Sequence, residues 1–196
     1  MTNLKRIASV LGATLLFSMP ACSSQSLDEP APETEETEVE PQTKRLWQGR
    51  GFTQEEAFVL EFLQGRGITD RNALAVILGN IKQESKFDTL VCEGGRRTGY
   101  SRCYRGGFGL IQWTTPSRYK GLGQFASNYG LNPDTLEAQL RWMVNEREWR
   151  LVEHIFKAPN QSSGSYMNAA YRWLGWGVAG NRTHYSNTYY DSLYMV

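Results

Sequence analysis

From Asp70 to Lys86 the chain reads Asp-Arg-Asn-Ala-Leu-Ala-Val-Ile-Leu-Gly-Asn-Ile-Lys-Gln-Glu-Ser-Lys, and this pattern constrains the fold more than any other. Asp70 is a good helix cap, and the residues after it repeat with a helical period. Stepped at about 100° per residue, Ala73, Ile77, Ile81, Leu74 and Leu78 fall within an arc of about 140°. Glu84 falls about 20° from Ala73, inside that arc, whereas Lys82 falls on its edge at about 180°. A carboxylate on an apolar face is costly to ionise, and burial raises its pKa. Periodicity leaves three roles open for Glu84: a buried partner for an arginine, a cap for the helix end, or a general acid that keeps its proton.

Other segments point to a mainly α domain from about Trp47 to Val196. Thr53-Gln54-Glu55-Glu56 is a capping box, and Gly65 and Gly67 end the helix that it opens. Thr115-Pro116 opens a helix running to about Tyr129, and Asn132-Pro133 opens another with Leu136, Leu140, Met143 and Val144 on one face. Weaker helical patterns cover 148–157, 164–175 and 182–195. At helical spacing, Trp142, Trp149, Trp173, Trp176 and the tyrosines at 185, 189, 190 and 194 are expected mainly to pack in the core.

The interval 88–113 breaks the helical pattern. It holds six glycines (94, 95, 99, 106, 107 and 109), with Cys92 and Cys103. A long ordered loop is expected there, with a short β-hairpin near 106–113. In an oxidising compartment the two cysteines are expected to form a disulfide that closes the loop. The rival reading, a catalytic thiol served by His154 or His184, has no feature that places a histidine beside either cysteine.

The first 22 residues read as an export signal: Lys5 and Arg6, then a mostly apolar run of about 13 residues, too short to span a bilayer. Met19-Pro20-Ala21-Cys22 is similar to a bacterial lipoprotein signal, with Met19 where leucine is usual. Cys22 is therefore the expected lipid anchor, and plain secretory cleavage is the alternative. Either way the expectation is an exported protein facing the periplasm or the cell exterior. Residues 23–46 carry acidic side chains with Ser, Pro and Thr and almost no apolar content. That composition predicts a disordered linker. The acidic residues before position 45 leave the remainder with an excess of five positive charges. A mildly basic domain suits an anionic polymer but lacks the dense basic stripe of a nucleic-acid binder. The two histidines have no zinc-ligand spacing and the glycines no phosphate-loop pattern, so neither metal nor cofactor is expected.

Two motifs together narrow the reading. Asn80-Ile81-Lys82-Gln83-Glu84-Ser85-Lys86-Phe87 is followed across the loop by Gly107-Phe108-Gly109-Leu110-Ile111-Gln112-Trp113. This resembles the phage tail-lysozyme family, within the lysozyme-like and lytic-transglycosylase group. The resemblance runs from about Ala73 to Glu146 and takes in Thr114, Arg118 and Gln139-Leu140. It implies a lysozyme-like helical fold acting on peptidoglycan between N-acetylmuramic acid and N-acetylglucosamine. Glu84 matches the catalytic acid, and Gly109, Gln112 and Trp113 match a motif lining the sugar cleft. Ser85 would hydrogen-bond the acid or finish the helix. Trp113 offers either a flat face for a pyranose or a core aromatic.

A second carboxylate is harder to find. Inversion with water needs a base roughly 6.5–9.5 Å from the acid. Asp88 and Glu93 are the candidates, and each is also readable as a solvated loop charge. Without such a base, one Glu would act as acid and base while a substrate hydroxyl closes an anhydro ring. The alternative outside catalysis is a wall-glycan-binding or structural lipoprotein.

Overall fold

The computed structural model describes residues 46–104 and 106–196. The signal-like segment 1–22, its Cys22 and the acidic stretch expected as a linker therefore lie outside the described residues, apart from Leu46.

Helix α2 (Arg71–Ser85) forms the centre. Asp70 caps it, accepting from the Ala73 amide at 3.0 Å. Every residue from Ala73 to Ile81 is buried, so burial runs round the helix rather than along one arc. Helices α1 (Gln54–Gly65), α7 (Ser163–Leu174) and α8 (Arg182–Ser192) all pack against it. Gly79 explains how a polar helix such as α8 can do so. A Cβ on Gly79 would come within 2.5 Å of the Ser186 backbone nitrogen, so the two helices meet backbone to backbone.

Helix α1 starts with the expected capping box: Thr53 accepts from the Glu56 amide at 3.2 Å, and Glu56 accepts from the Thr53 amide at 2.9 Å. Helix α3 (Pro116–Asn128) also begins at its proline. Helix α4 (Leu136–Met143) starts later than Asn132-Pro133 suggested. Its cap is Thr135, because Asn132 is used in a turn, accepting from the Asp134 amide and the Thr135 hydroxyl. The pattern over 148–157 resolves into two short helices, α5 (Arg147–Arg150) and α6 (Glu153–Lys157). Between α4, α5, α6 and α7, Trp149 stacks on Phe156 with centroids 5.3 Å apart and meets Trp173 edge-on at 4.8 Å. Fully burying such side chains contributes about 1.5–3 kcal/mol each.

The last helix is shorter than its sequence pattern. Beyond Ser192 the chain turns into strand β4 (Leu193–Met195), antiparallel to β1 (Trp47–Gly49), with Trp47 opposite Met195. Gln64 of α1 fastens this pair, its side-chain amide accepting from the Trp47 N–H at 2.6 Å and donating to the Trp47 carbonyl at 3.0 Å.

In the glycine-rich interval the hairpin is not at 106–113. It is formed by β2 (Val91–Cys92) and β3 (Arg96–Arg97). The segment 107–109 lies along the other edge of β2, with the Glu93 amide donating to Gly107 and the Gly109 amide donating to Val91, both at 2.8 Å. Hydrogen-bonding edges on both sides of Val91-Cys92 decided the pairing, and alternation of apolar residues could not show that. The Cys92–Cys103 disulfide is present, with Cα atoms 5.8 Å apart.

Candidate functional site

Glu84 stands one residue before the end of α2, where the helix leaves the core. Its side chain keeps 16% of its surface exposed, and its Oε1 accepts from Arg182 Nη2 at 2.6 Å. Arg182 opens α8 and is itself buried. Its Nη1 donates to the Asn80 side-chain oxygen at 3.2 Å, and its guanidinium lies 4.2 Å from the centre of the Trp176 ring. Of the roles left open by periodicity, the arginine partnership is the one these contacts show.

Burial pushes the Glu84 carboxyl above the usual carboxylate range; the charges of Arg182 and Arg118 and the Arg182 hydrogen bond pull it back without cancelling the effect. Glu56 shows the opposite balance. Burial would raise it too, but hydrogen bonds from Lys82 (2.8 Å) and Tyr189 (2.5 Å) outweigh burial and hold it low. The same helix thus borders a carboxyl whose pKa its neighbours hold down and one whose pKa burial raises.

The helix ends in a tight reversal. Lys86 and Phe87 both have positive φ (54° and 66°), a conformation uncommon outside glycine. Phe87 is buried against Tyr189, with centroids 6.1 Å apart. Ser85 does not contact the acid. Its hydroxyl donates to the Leu110 carbonyl at 2.7 Å, tying the end of α2 to the Gly109–Trp113 turn.

That turn is built from within. Gly109, at φ 69°, is buried, and a Cβ there would sit 2.5 Å from Gln139 Oε1. The glycine makes room for Gln139 rather than for a sugar. Gln139, wholly buried on α4, accepts from the Leu110 amide (2.8 Å) and donates to the carbonyls of Thr89 and Pro133 (both 2.9 Å). Gln112 spends its amide N–H groups on the Val91 and Gly109 carbonyls (3.1 and 3.0 Å). Trp113 is fully buried, and its indole N–H donates to Glu146 at 3.0 Å. The flat sugar face expected of it is therefore corrected to a core role: its ring has no exposed side.

Glu146 is the residue that sequence reasoning underused. It is 1% exposed and accepts from Trp113, from Trp173 (3.0 Å) and twice from Arg118 (2.8 and 2.6 Å). This hub fixes Arg118, whose charge reaches Glu84. Arg182 was also missed: it lies 98 residues beyond Glu84 in a polar stretch, with no local signal.

Neither second-carboxylate candidate is brought to the acid by any hydrogen bond or ion pair. Asp88 accepts from the Leu90 amide at 2.9 Å and pairs with Arg97 at 3.1 Å. Glu93 is exposed on the loop, its carboxylate packed against Gly106. The aromatic ring nearest the Glu84–Arg182 pair is Trp176 of the α7–α8 connection, under the Arg182 guanidinium, and Tyr171 of α7, half exposed, meets that ring edge-on at 5.1 Å.

The family model described as phage tail lysozyme matches residues 54–193. Morphogenesis protein 1 of Bacillus phage B103 is 32% identical over 113 residues, covering 55% of this chain but 29% of that protein. The chain thus spans less than a third of that relative. No solved structure matches.

Proposed function

The chain belongs to the phage tail lysozyme family, and on that premise we propose that it cleaves peptidoglycan glycan strands between N-acetylmuramic acid and N-acetylglucosamine, with Glu84 as general acid. The observation that carries the reading is the Glu84 carboxyl itself. It is partly buried at the end of the central helix, and its proton is favoured by burial even with Arg182 at 2.6 Å. A carboxyl of this kind donates its proton to a leaving glycosidic oxygen. Arg182 then holds the carboxylate that remains. Trp176 supplies aromatic surface beside Arg182.

Asp88 is occupied by Arg97 and Glu93 faces solvent, which favours a single-carboxylate route. Glu84 gives its proton to the glycosidic oxygen, the C1–O bond breaks, and the sugar's own 6-hydroxyl attacks C1. The hydroxyl's proton returns to Glu84, and the product carries an anhydro ring. The lipid tether expected at Cys22 would hold the domain at a membrane facing the wall.

A second reading has the 2.6 Å contact in its favour: Glu84 is only Arg182's partner, and the domain binds wall glycan without cutting it. A zymogram on purified sacculi separates the two. Wild-type protein should clear and Glu84→Gln should not; equal clearing removes the acid assignment, and no clearing by either favours the binding module. Mass spectrometry of the released fragments then reads the chemistry, since an anhydro end means transglycosylation and a reducing end means hydrolysis.

A further inference from the structure

Helices α7 and α8 both lie on α2, and between them is a hollow of about 490 Å³ that does not include Glu84. Its floor is apolar: Ala75, Val76 and Met167. Its rim is polar but carries no formal charge: Asn72, Ser163, Thr183, Ser186, Asn187 and Tyr190. The side chains of Thr183 and Asn187 and the Tyr190 hydroxyl make no hydrogen bond with other described residues, so their capacity is unspent. The volume is within the range of small-ligand sites, roughly 300–1,000 Å³.

We propose that this hollow is a second carbohydrate site, taking an uncharged N-acetylhexosamine unit of the same glycan that the proposed function assigns to Glu84; the inference rests on that reading for its choice of polymer. Three observations favour a sugar. An anion or charged peptide would find no counter-charge in the lining; the neighbouring cation, Arg71, is stacked on the Tyr190 ring at 4.2 Å and donates to the Leu193 carbonyl at 2.7 Å. A wholly apolar ligand would strand the hydroxyls and amides of the rim. A pyranose has one C–H face for Ala75, Val76 and Met167 and a belt of hydroxyls for the rim. Asn187 can give and take a hydrogen bond with an acetamido group, and Asn72, whose oxygen already accepts from the Ser163 hydroxyl at 3.1 Å, keeps its N–H groups to give.

The placement suits a site that grips a strand away from the point of cleavage. Asn72 to Val76 precede Glu84 on α2 by roughly 12–18 Å at the helical rise. Between hollow and acid, the Asn181 amide donates to Gln83 Oε1 at 2.8 Å, closing the α7–α8 connection over α2. Glu84 is therefore outside the hollow, further along the same helix.

The test uses the Glu84→Gln protein, so that no cleavage intervenes, with a chitin tetrasaccharide as the uncharged probe. Side-chain amide signals of Asn72 and Asn187 and the Thr183 methyl should shift on titration. Gly164→Trp should abolish these shifts: Gly164 lines the hollow, and a Cβ there meets only the Ser162 hydroxyl within 4 Å; an unchanged melting temperature for the variant separates blocking from unfolding. Asn187→Ala, at an exposed position, should weaken the same binding on the order of tenfold. In the active protein, Gly164→Trp should slow the clearing of sacculi while sparing cleavage of a short soluble glycan. Unshifted signals at these residues, or the same titration with Gly164→Trp, would overturn the site. Clearing of walls by Glu84→Gln would instead remove the acid assignment and leave binding in the hollow standing.

Discussion

Arg182 places its Nη2 2.6 Å from Glu84 Oε1, where its charge opposes the effect of burial on the carboxyl. Burial raises the carboxyl's pKa; the guanidinium lowers it, by less. Activity by the acid route needs the protonated form, which is lost as pH rises through the carboxyl's pKa. Removing Arg182's charge raises that pKa further. Arg182→Gln should therefore move the alkaline limb of the pH–rate profile on sacculi to higher pH, with Arg182→Lys in between. An unmoved limb in a folded variant would separate Arg182 from the acid.

Stability should show the same linkage. A carboxyl whose folded pKa is raised contributes stability that is full below its unfolded value, about 4.3, and is lost as pH rises through the folded one. Glu84→Gln mimics the protonated form at every pH. Its Tm relative to wild type should rise from pH 4 to pH 7, by calorimetry. A constant difference across that range would show that burial does not disfavour the charge.

Glu146 predicts the opposite kind of result. Glu146→Ala leaves Arg118 and two indole N–H groups without their acceptor in the core. Breaking a buried pair from one side costs about 3–5 kcal/mol. The melting temperature should fall on the order of 10 °C, and tryptophan fluorescence should report the exposure of Trp113 and Trp173.

The loop that carries both strands of the hairpin is closed by Cys92 and Cys103, 11 residues apart. Opening it by Cys92→Ser with Cys103→Ser should cost about 3 kcal/mol in urea unfolding. The Gly109–Trp113 turn should survive in part, because Ser85 and Gln139 hold it independently of the disulfide.

Gly109→Ala tests the turn directly. The new methyl meets the Gln139 amide, and the backbone is left in a left-handed conformation. A loss of about 1–3 kcal/mol is expected. Gly164→Ala, in open space, serves as the matched control.

The helices were legible where local chemistry decides them. Asp70, Thr53 and Pro116 mark true starts because a cap or a proline acts within a few residues of itself. Asn132 misled because its side chain served a turn three residues before the real cap. The hairpin at 91–97 and the strand at 193–195 depend on partners distant in sequence, which no window over the chain displays. At the site, periodicity brought Glu84 to notice but could not find Arg182 on another helix. Trp113 misled for a related reason: an indole beside a glycine-rich motif reads alike whether its N–H meets a sugar or a buried carboxylate. Glu146, the carboxylate it met, was visible only as the end of a helical pattern.

The described chain begins and ends in one place: the Val196 amide donates to the Leu46 carbonyl at 3.1 Å, next to the β1–β4 pair. A short peptide bridging those residues would turn the helical domain into a ring without disturbing α2. New openings cut at the exposed positions near Asn160 or Val178 would then ask which helices must be continuous for the domain to fold.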